Sequence, residues 1–289
     1  MASLKDIRKR IDSVKRTQKT TSAMKMVSAA KLRRAEDHIR AATPYAQKLK
    51  SIVSSLSTRF EGEEQDSGFG SLFRNSSGKR TGVILVTSDR GLCGGFNSNL
   101  SKALLQQLID EGVECAEFAI FGRKGNDFFK RTPHKILVNH AGTPPDQHLS
   151  LVREVVGDFT KRFENDELDQ VLLAYNHFIS VISQVPMIEQ LLPIKPIEAE
   201  SVDEREVLFE PSPEEILQTL LKKYVKNPKV YVSWLDTIAG EHAARMTSMD
   251  AATKNAGEII DKLQLHYNRT RQAAITGELI EIISGAESL

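Results

Sequence analysis

The residues best equipped for chemistry in this sequence lie in one run, Ser88-Asp89-Arg90-Gly91-Leu92-Cys93-Gly94-Gly95-Phe96-Asn97. It follows the apolar run Val83-Ile84-Leu85-Val86-Thr87 and precedes a helical pattern. That is where α/β proteins hold phosphates, on free backbone N–H groups at a helix start. The spacing matches neither the dinucleotide fingerprint nor the P-loop, and no Lys-Ser/Thr pair follows. A tight turn with a surface role fits these residues better than a nucleotide site. Cys93 has no histidine near it in sequence, so a packed free thiol describes it better than a nucleophile. The seven histidines have no metal-ligand spacing, and no two carboxylates stand out as an acid/base couple. These residues imply neither a catalytic group, nor a metal, nor a cofactor.

The element expected to position that run is an α/β layer. Val83–Thr87 is a short, apolar, β-branched run, the mark of a strand buried on both faces, and Phe118–Phe121, Lys135–Asn139 and Val171–Tyr175 are expected as further strands. Phe178–Ile182 is expected to add one more. Leu100, Leu104, Leu105, Leu108 and Ile109 define a helix after the glycine turn, with further helical segments at Asn126–Phe129 and His148–Phe163. Strands alternating with helices give a mainly parallel sheet. Pro186, Pro193 and Pro196 are expected to close this region.

Long helices flank the layer. Leu4, Ile7, Ile11 and Val14 recur at steps of three and four, and the same register returns at Leu32, Ala35, Ile39, Ala42, Ala46, Leu49, Val53 and Leu56. This is a heptad seam, hence a coiled coil. Its middle is polar: Gln18, Thr21, Lys25 and Ser28. A helix of that length reaches about 80 Å, more than a small globular core requires. Pro44 is expected to kink it. Glu61–Lys79, rich in Gly, Ser and acids, has linker composition. Pro211-Ser212-Pro213-Glu214-Glu215 signals a new helix start, with a kink expected at Asn227-Pro228. A second seam follows at Leu235, Ile238, Met249, Ala252, Ala256, Ile259 and Leu263, with His242 and Arg245 in its polar gap.

Paired antiparallel, the two helices match at positions summing to about 270. Lys25 then faces Arg245 and Leu4 faces His266. Two facing cations would cost stability there, which a counter-charge from a partner would relieve. The register leaves Tyr267–Leu289 projecting as a lone helix carrying Ile275, Leu279, Ile280, Ile282 and Ile283, poorly stable in water without a sleeve. The expected organisation is a coiled-coil helix over residues 1–58, an α/β domain over 80–197 and a coiled-coil helix over 211–289.

Net charge is only +1, yet the first 60 or so residues are strongly basic, while acids gather at Glu61–Asp66 and Glu198–Glu215. A basic helix suits an acidic partner, a solvated face or nucleic acid. Two cysteines, Cys93 and Cys115, suit a reducing compartment. No apolar run approaches the ~20 residues of a membrane span. The sequence enters helix pattern at once, so no leader is expected.

Four stretches, in order along nearly the whole chain, resemble the γ subunits of F-type ATP synthases: Met24–Lys31 (MKMVSAAK), Ser88–Asn97, Ala244–Ala256 (ARMTSMDAATKNA) and Ile275–Ala286 (ITGELIEIISGA). The resemblance implies a central rotor stalk of bacterial type. In that family the terminal helices pair antiparallel, an α/β domain bulges from the base, and the coil penetrates a ring of three α and three β subunits. The base seats on the membrane c-ring and binds the ε subunit. The catalytic sites lie on β, so the chain would be a non-catalytic subunit without cofactors, peripheral on the cytoplasmic face of the cell membrane. Carried over by position, Met24 and Lys25 face the acidic lever loop of β, and the loop with Arg90 and Cys93 lies close to the same lever. Arg245, Gln272, Thr276 and Glu278 serve contact with β and coupling. The cysteine-bearing insertion of plastid members is absent from this sequence. An asymmetric rod turning inside the ring would bias three catalytic sites toward different conformations, and Ile39→Asp, a charge in the seam, would uncouple or prevent assembly. The rivals are a nucleic-acid-binding coiled coil tracking phosphates and a nucleotide-dependent enzyme built on the Gly91–Gly95 turn.

Overall fold

Val83, Ile84, Leu85 and Val86 are fully buried, and they make β1 (Thr81–Val86), the central strand of a five-stranded sheet. The computed structural model describes residues 4–57, 78–144, 147–194 and 228–287. They divide into two units, Lys31–Ala244 and the paired segments Met1–Ala30 with Arg245–Leu289.

In the first unit, β1 is followed by α2 (Phe96–Asp110), β2 (Glu117–Phe121), α3 (Arg123–Phe129), β3 (Lys135–His140), α4 (His148–Glu164), β4 (Gln170–Phe178) and β5 (Gln184–Leu192). The order across the sheet is β3-β2-β1-β4-β5. β1 pairs parallel with β2 and β4, β2 pairs parallel with β3, and β5 runs antiparallel to β4. Because side chains alternate along a strand, β1 feeds two cores. Val83 and Leu85 join Leu100, Leu104 and Leu108 of α2 on one face. Ile84 and Val86 join Val152, Val156, Phe159 and Phe163 of α4 on the other, together with Leu49, Val230 and Trp234 from the long helices.

Two expectations about this layer change. Phe178 ends β4, and Ser180–Ser183 form a turn rather than a strand: Ser180 and Ser183 each donate a backbone N–H to the other's carbonyl. The last strand is Gln184–Leu192, which contains Pro186. An edge strand can hold a proline because one side of its backbone needs no ladder bond, so Pro186 did not close the region.

The long helices are α1 (Leu4–Ser57) and α5 (Pro228–Glu287). Helix α1 is continuous through Pro44, and α5 as described begins at Pro228. The helix start expected at Pro211–Glu215 and most of the Glu61–Lys79 linker lie outside the described residues.

In the paired segments, Ile7, Ile11 and Ile260 form a buried cluster, with Val14, Leu263 and Tyr267 packed on it. From Leu4 to Leu49 the seam of α1 is where the periodicity placed it, and that of α5 holds at Leu235, Met249, Ala256 and Leu263 but not at Ile259. Ile260 is buried and Ile259 is 47% exposed, so the inward residue between Ala256 and Leu263 is Ile260. Pairing shifts. Thr21 meets Thr253, and Lys25 meets Asp250 rather than Arg245. The partner helix sits about four residues, one turn, further on than expected. The correction has a physical reason: the shifted register puts a carboxylate beside Lys25, whereas the expected one set two cations face to face. It also keeps Tyr267 inside the pair, so the helix passes Leu4 only beyond about residue 270.

Candidate functional site

The glycine-rich run leaves β1 at the sheet edge where nucleotides bind in open α/β folds. Here its polar groups are engaged internally. Asn97 accepts the Ser88 backbone N–H at 3.0 Å and donates to Ser88 Oγ at 2.7 Å and Cys93 Sγ at 3.3 Å. Asp89 accepts the backbone N–H of Arg123, at the start of α3, and that of Gly142, at 3.1 and 2.9 Å. The start of α3 therefore faces the chain's own carboxylate, while at the start of α2 the Phe96 N–H donates to the Cys93 carbonyl. Gly122 (φ 99°) closes this corner: a Cβ there would lie 2.2 Å from the Thr87 carbonyl oxygen.

The crevice between the ends of β1 and β4 is filled by protein. Phe96 and Cys93 pack with Ala244 of α5, and Asn176 donates to the Phe96 carbonyl at 3.1 Å. A Cβ on Gly240 would meet the Phe96 ring at 2.9 Å, so only glycine lets α5 approach so closely. What the loop offers to solvent is Arg90 and Leu92. Leu92 has a left-handed backbone (φ 64°) and is 63% exposed, an unfavourable conformation of the kind that collects at functional surfaces. The arrangement makes a presenting loop rather than a nucleotide cradle.

In the paired-helix unit the polar gap is answered group by group. The Thr21 and Thr253 hydroxyls are 2.7 Å apart. Lys25 donates to Asp250 at 2.7 Å, and Lys254 reaches the same carboxylate at 2.9 Å. Lys25 and then Lys254 hold the Asp250 carboxyl below the ordinary range. Lys25, Met246, Thr247, Asp250, Lys254 and Asn255 line an open depression of about 380 Å³ on this face. The sequence reading missed Asp250 and Lys254, although a carboxylate four residues before a lysine is a readable helix-face signal.

Of the residues singled out from sequence, Met24, Lys25, Arg245, Gln272, Thr276 and Glu278 belong to the paired-helix unit, and Arg90 and Cys93 to the sheet unit. Lys25, Arg90, Gln272, Thr276 and Glu278 are exposed and Met24 is half-buried. Cys93 and Arg245 are buried, at 3% and 6% exposure. Gln272–Glu278 lie about 40 Å along α5 from Arg245 at 1.5 Å per residue, so the coil presents two separate groups. Around the second, Ile275, Leu279, Ile280, Ile282 and Ile283 are 50–68% exposed. Among the described residues no helix is long and apolar enough to cross a membrane, and no cluster of three or more metal-ligating side chains occurs.

The family model described as ATP synthase matches residues 3–289. An ATP synthase gamma chain of Moorella thermoacetica is 45% identical over 289 residues, covering all of both chains. One from Trichlorobacter lovleyi is 46% identical over 295 residues, covering all of this chain and 99% of that one. Among solved structures, a chain of the Euglena gracilis mitochondrial ATP synthase OSCP/F1/c-ring assembly superposes with a TM-score of 0.67 at 16% identity, covering 99% of this chain and 94% of that one. A chain of the Tetrahymena thermophila mitochondrial central stalk/c-ring gives 0.59 at 24% identity, covering 81% and 99%. At these identities the structural likeness speaks for the fold, an α/β layer with a long coiled coil.

Proposed function

This chain belongs to the ATP synthase gamma chain family, and from that premise we propose that it is the non-catalytic central rotor, coupling ion-driven rotation of a membrane c-ring to the catalytic sites of three β subunits. The observation that carries this reading is the end of α5. Five large apolar side chains between Ile275 and Ile283 are at least half exposed, on a helix that passes beyond its partner. Helical stability in proteins comes mostly from packing, so such a helix needs an apolar sleeve, and a ring of α and β subunits supplies one.

Half-buried Met24 and exposed Lys25, Arg90, Gln272, Thr276 and Glu278 then act as contacts to β. Lys25, held beside Lys254 by Asp250, offers cationic donors to an acidic lever. Cys93 and Arg245 lie too deep for a first contact and serve coupling by supporting the surface above them. The base of the stalk binds ε and the c-ring, and the assembly sits peripherally at the cytoplasmic face of the cell membrane. Rotation presents a different face of the rod to each β in turn, and those differential contacts shift the populations of the three sites. The nucleic-acid reading has nothing in its favour among the relatives, and the nucleotide-enzyme reading meets a crevice filled by Phe96, Cys93 and Ala244.

Reconstitution tests the proposal. Mixed with folded α and β subunits, the chain should enter a complex with one copy per three αβ pairs, and its ATP hydrolysis should weaken when residues 272–289 are deleted. Failure to assemble with competent partners would refute the rotor role.

A further inference from the structure

Within the Lys31–Ala244 unit, part of the contact between sheet and long helix is polar. Tyr175 and His177 are two apart on β4 and share a face. Lys229, Ser233 and Asp236 recur at helical spacing on α5 and share a stripe. The two rows meet. Glu189 of β5 accepts from the Tyr175 hydroxyl at 2.9 Å and from the Lys229 ammonium at 2.6 Å. His177 Nδ1 lies 2.6 Å from Asp236 Oδ2. The Asp236 side chain is only 10% exposed, while that of His177 is 47% exposed.

Burial raises the Asp236 pKa, and His177 works against that rise. Burial likewise opposes the charge of Glu189, yet Lys229, Tyr175 and His177 together hold its carboxyl below the ordinary range. Burial, then Glu189, push the Tyr175 phenol up, with Ser233 hydrogen-bonded to it. The titratable groups facing the His177–Asp236 pair are thus Tyr175, Glu189 and Lys229. Lys229 already serves Glu189, so His177 is the counter-charge of Asp236. A lysine there would keep that charge at any physiological pH, whereas an imidazole changes charge between pH 5 and 8. A buried carboxylate that loses its counter-charge is costly.

We propose that His177 and Asp236 form a proton-sensitive clamp that positions the start of α5 on the β4–β5 hairpin, tight when His177 is protonated and looser when it is neutral. A protonated imidazole meets the carboxylate as an ion pair and a neutral one only as a hydrogen-bond donor, so the contact weakens when the proton leaves. In a rotor this clamp stiffens the joint through which the sheet turns the helix, a consequence that rests on the proposed function. The clamp itself does not.

The test on the full-length chain is a histidine NMR titration joined to amide exchange. Asp236→Asn should lower the His177 midpoint, as loss of a nearby opposite charge does. At pH 6 it should also speed exchange across residues 229–240, corrected for the intrinsic pH effect, by roughly tenfold. The difference should close by pH 8, and His177→Lys should hold exchange level across that range. An unmoved midpoint, or equal exchange in wild type and Asp236→Asn at pH 6, would overturn the clamp. In the assembled enzyme, proton pumping per ATP should fall from pH 6 to pH 8 in wild type and stay level in His177→Lys; parallel profiles would overturn the role in torque and leave the titration result standing.

Discussion

On β1, four consecutive apolar residues are fully buried and serve two cores. In the paired helices, the apolar cluster has three buried members, Ile7, Ile11 and Ile260, and then gives way to Thr21–Thr253 and Lys25–Asp250. A fully buried Leu or Ile contributes about 1.5–3 kcal/mol, an exposed ion pair about 0–1 kcal/mol. The sheet unit therefore carries its own stability. The coil spends apolar surface at one level, replaces it with hydrogen bonds at the next, and leaves it exposed beyond residue 275. That difference suits a part which must be rigid and a part which must be completed by partners.

The comparison can be broken most strongly at the core. Leu104→Ala, in a fully buried position, should cost about 2–5 kcal/mol, whereas Ile11→Ala in the smaller coil cluster should fall at the low end of that range, about 2 kcal/mol. Urea unfolding of the two variants measures this, and equal losses would erase the distinction.

In the polar gap, Thr21→Val alone takes away the hydroxyl facing Thr253, which keeps its bond to the Met249 carbonyl, and should cost about 0.5–1 kcal/mol, but Thr21→Val with Thr253→Val should come close to wild type, because an apolar pair then replaces both hydroxyls. A double-mutant cycle on thermal unfolding gives the coupling; strictly additive losses would mean that the 2.7 Å contact does not hold the gap.

The ion pair sharpens the contrast through pH. Asp250 is depressed by Lys25 and Lys254, so its contribution is present above the ordinary carboxylate range and disappears as pH falls through the lowered value. Wild type should lose melting temperature between pH 5 and 3 more steeply than Asp250→Asn. The smallest effect belongs to Ile282→Ser, 68% exposed in wild type: the isolated chain should change by less than about 0.5 kcal/mol, while assembly with α and β weakens.

Periodicity located α1, the parallel strands and the helices between them because those residues alternate, or recur at three and four, strongly enough to mark their faces. Two failures have the same origin in weak local signals. Ile259 and Ile260 are adjacent, and a heptad count alone cannot choose which faces inward; the pairing of Lys25 with Asp250 decides it. Pro186 reads as a breaker, since only the topology reveals that its strand is an edge. The loop was placed correctly as a turn, but burial of Cys93 under Phe96 and Ala244 depends on α5, more than a hundred residues away. Ile39 is half-buried, so Ile39→Asp tests the seam less severely than Leu32→Asp, where the side chain is 5% exposed.

The central claim is that the end of α5 is completed only by a surrounding ring. The most direct measurement is amide hydrogen exchange across residues 272–287, in the chain alone and in its complex with α and β. Residues 272–287 should show little protection in the isolated chain, as for a lone helix in water, and strong protection in the complex. Equal protection in both states would contradict it, because the helix would then need no sleeve.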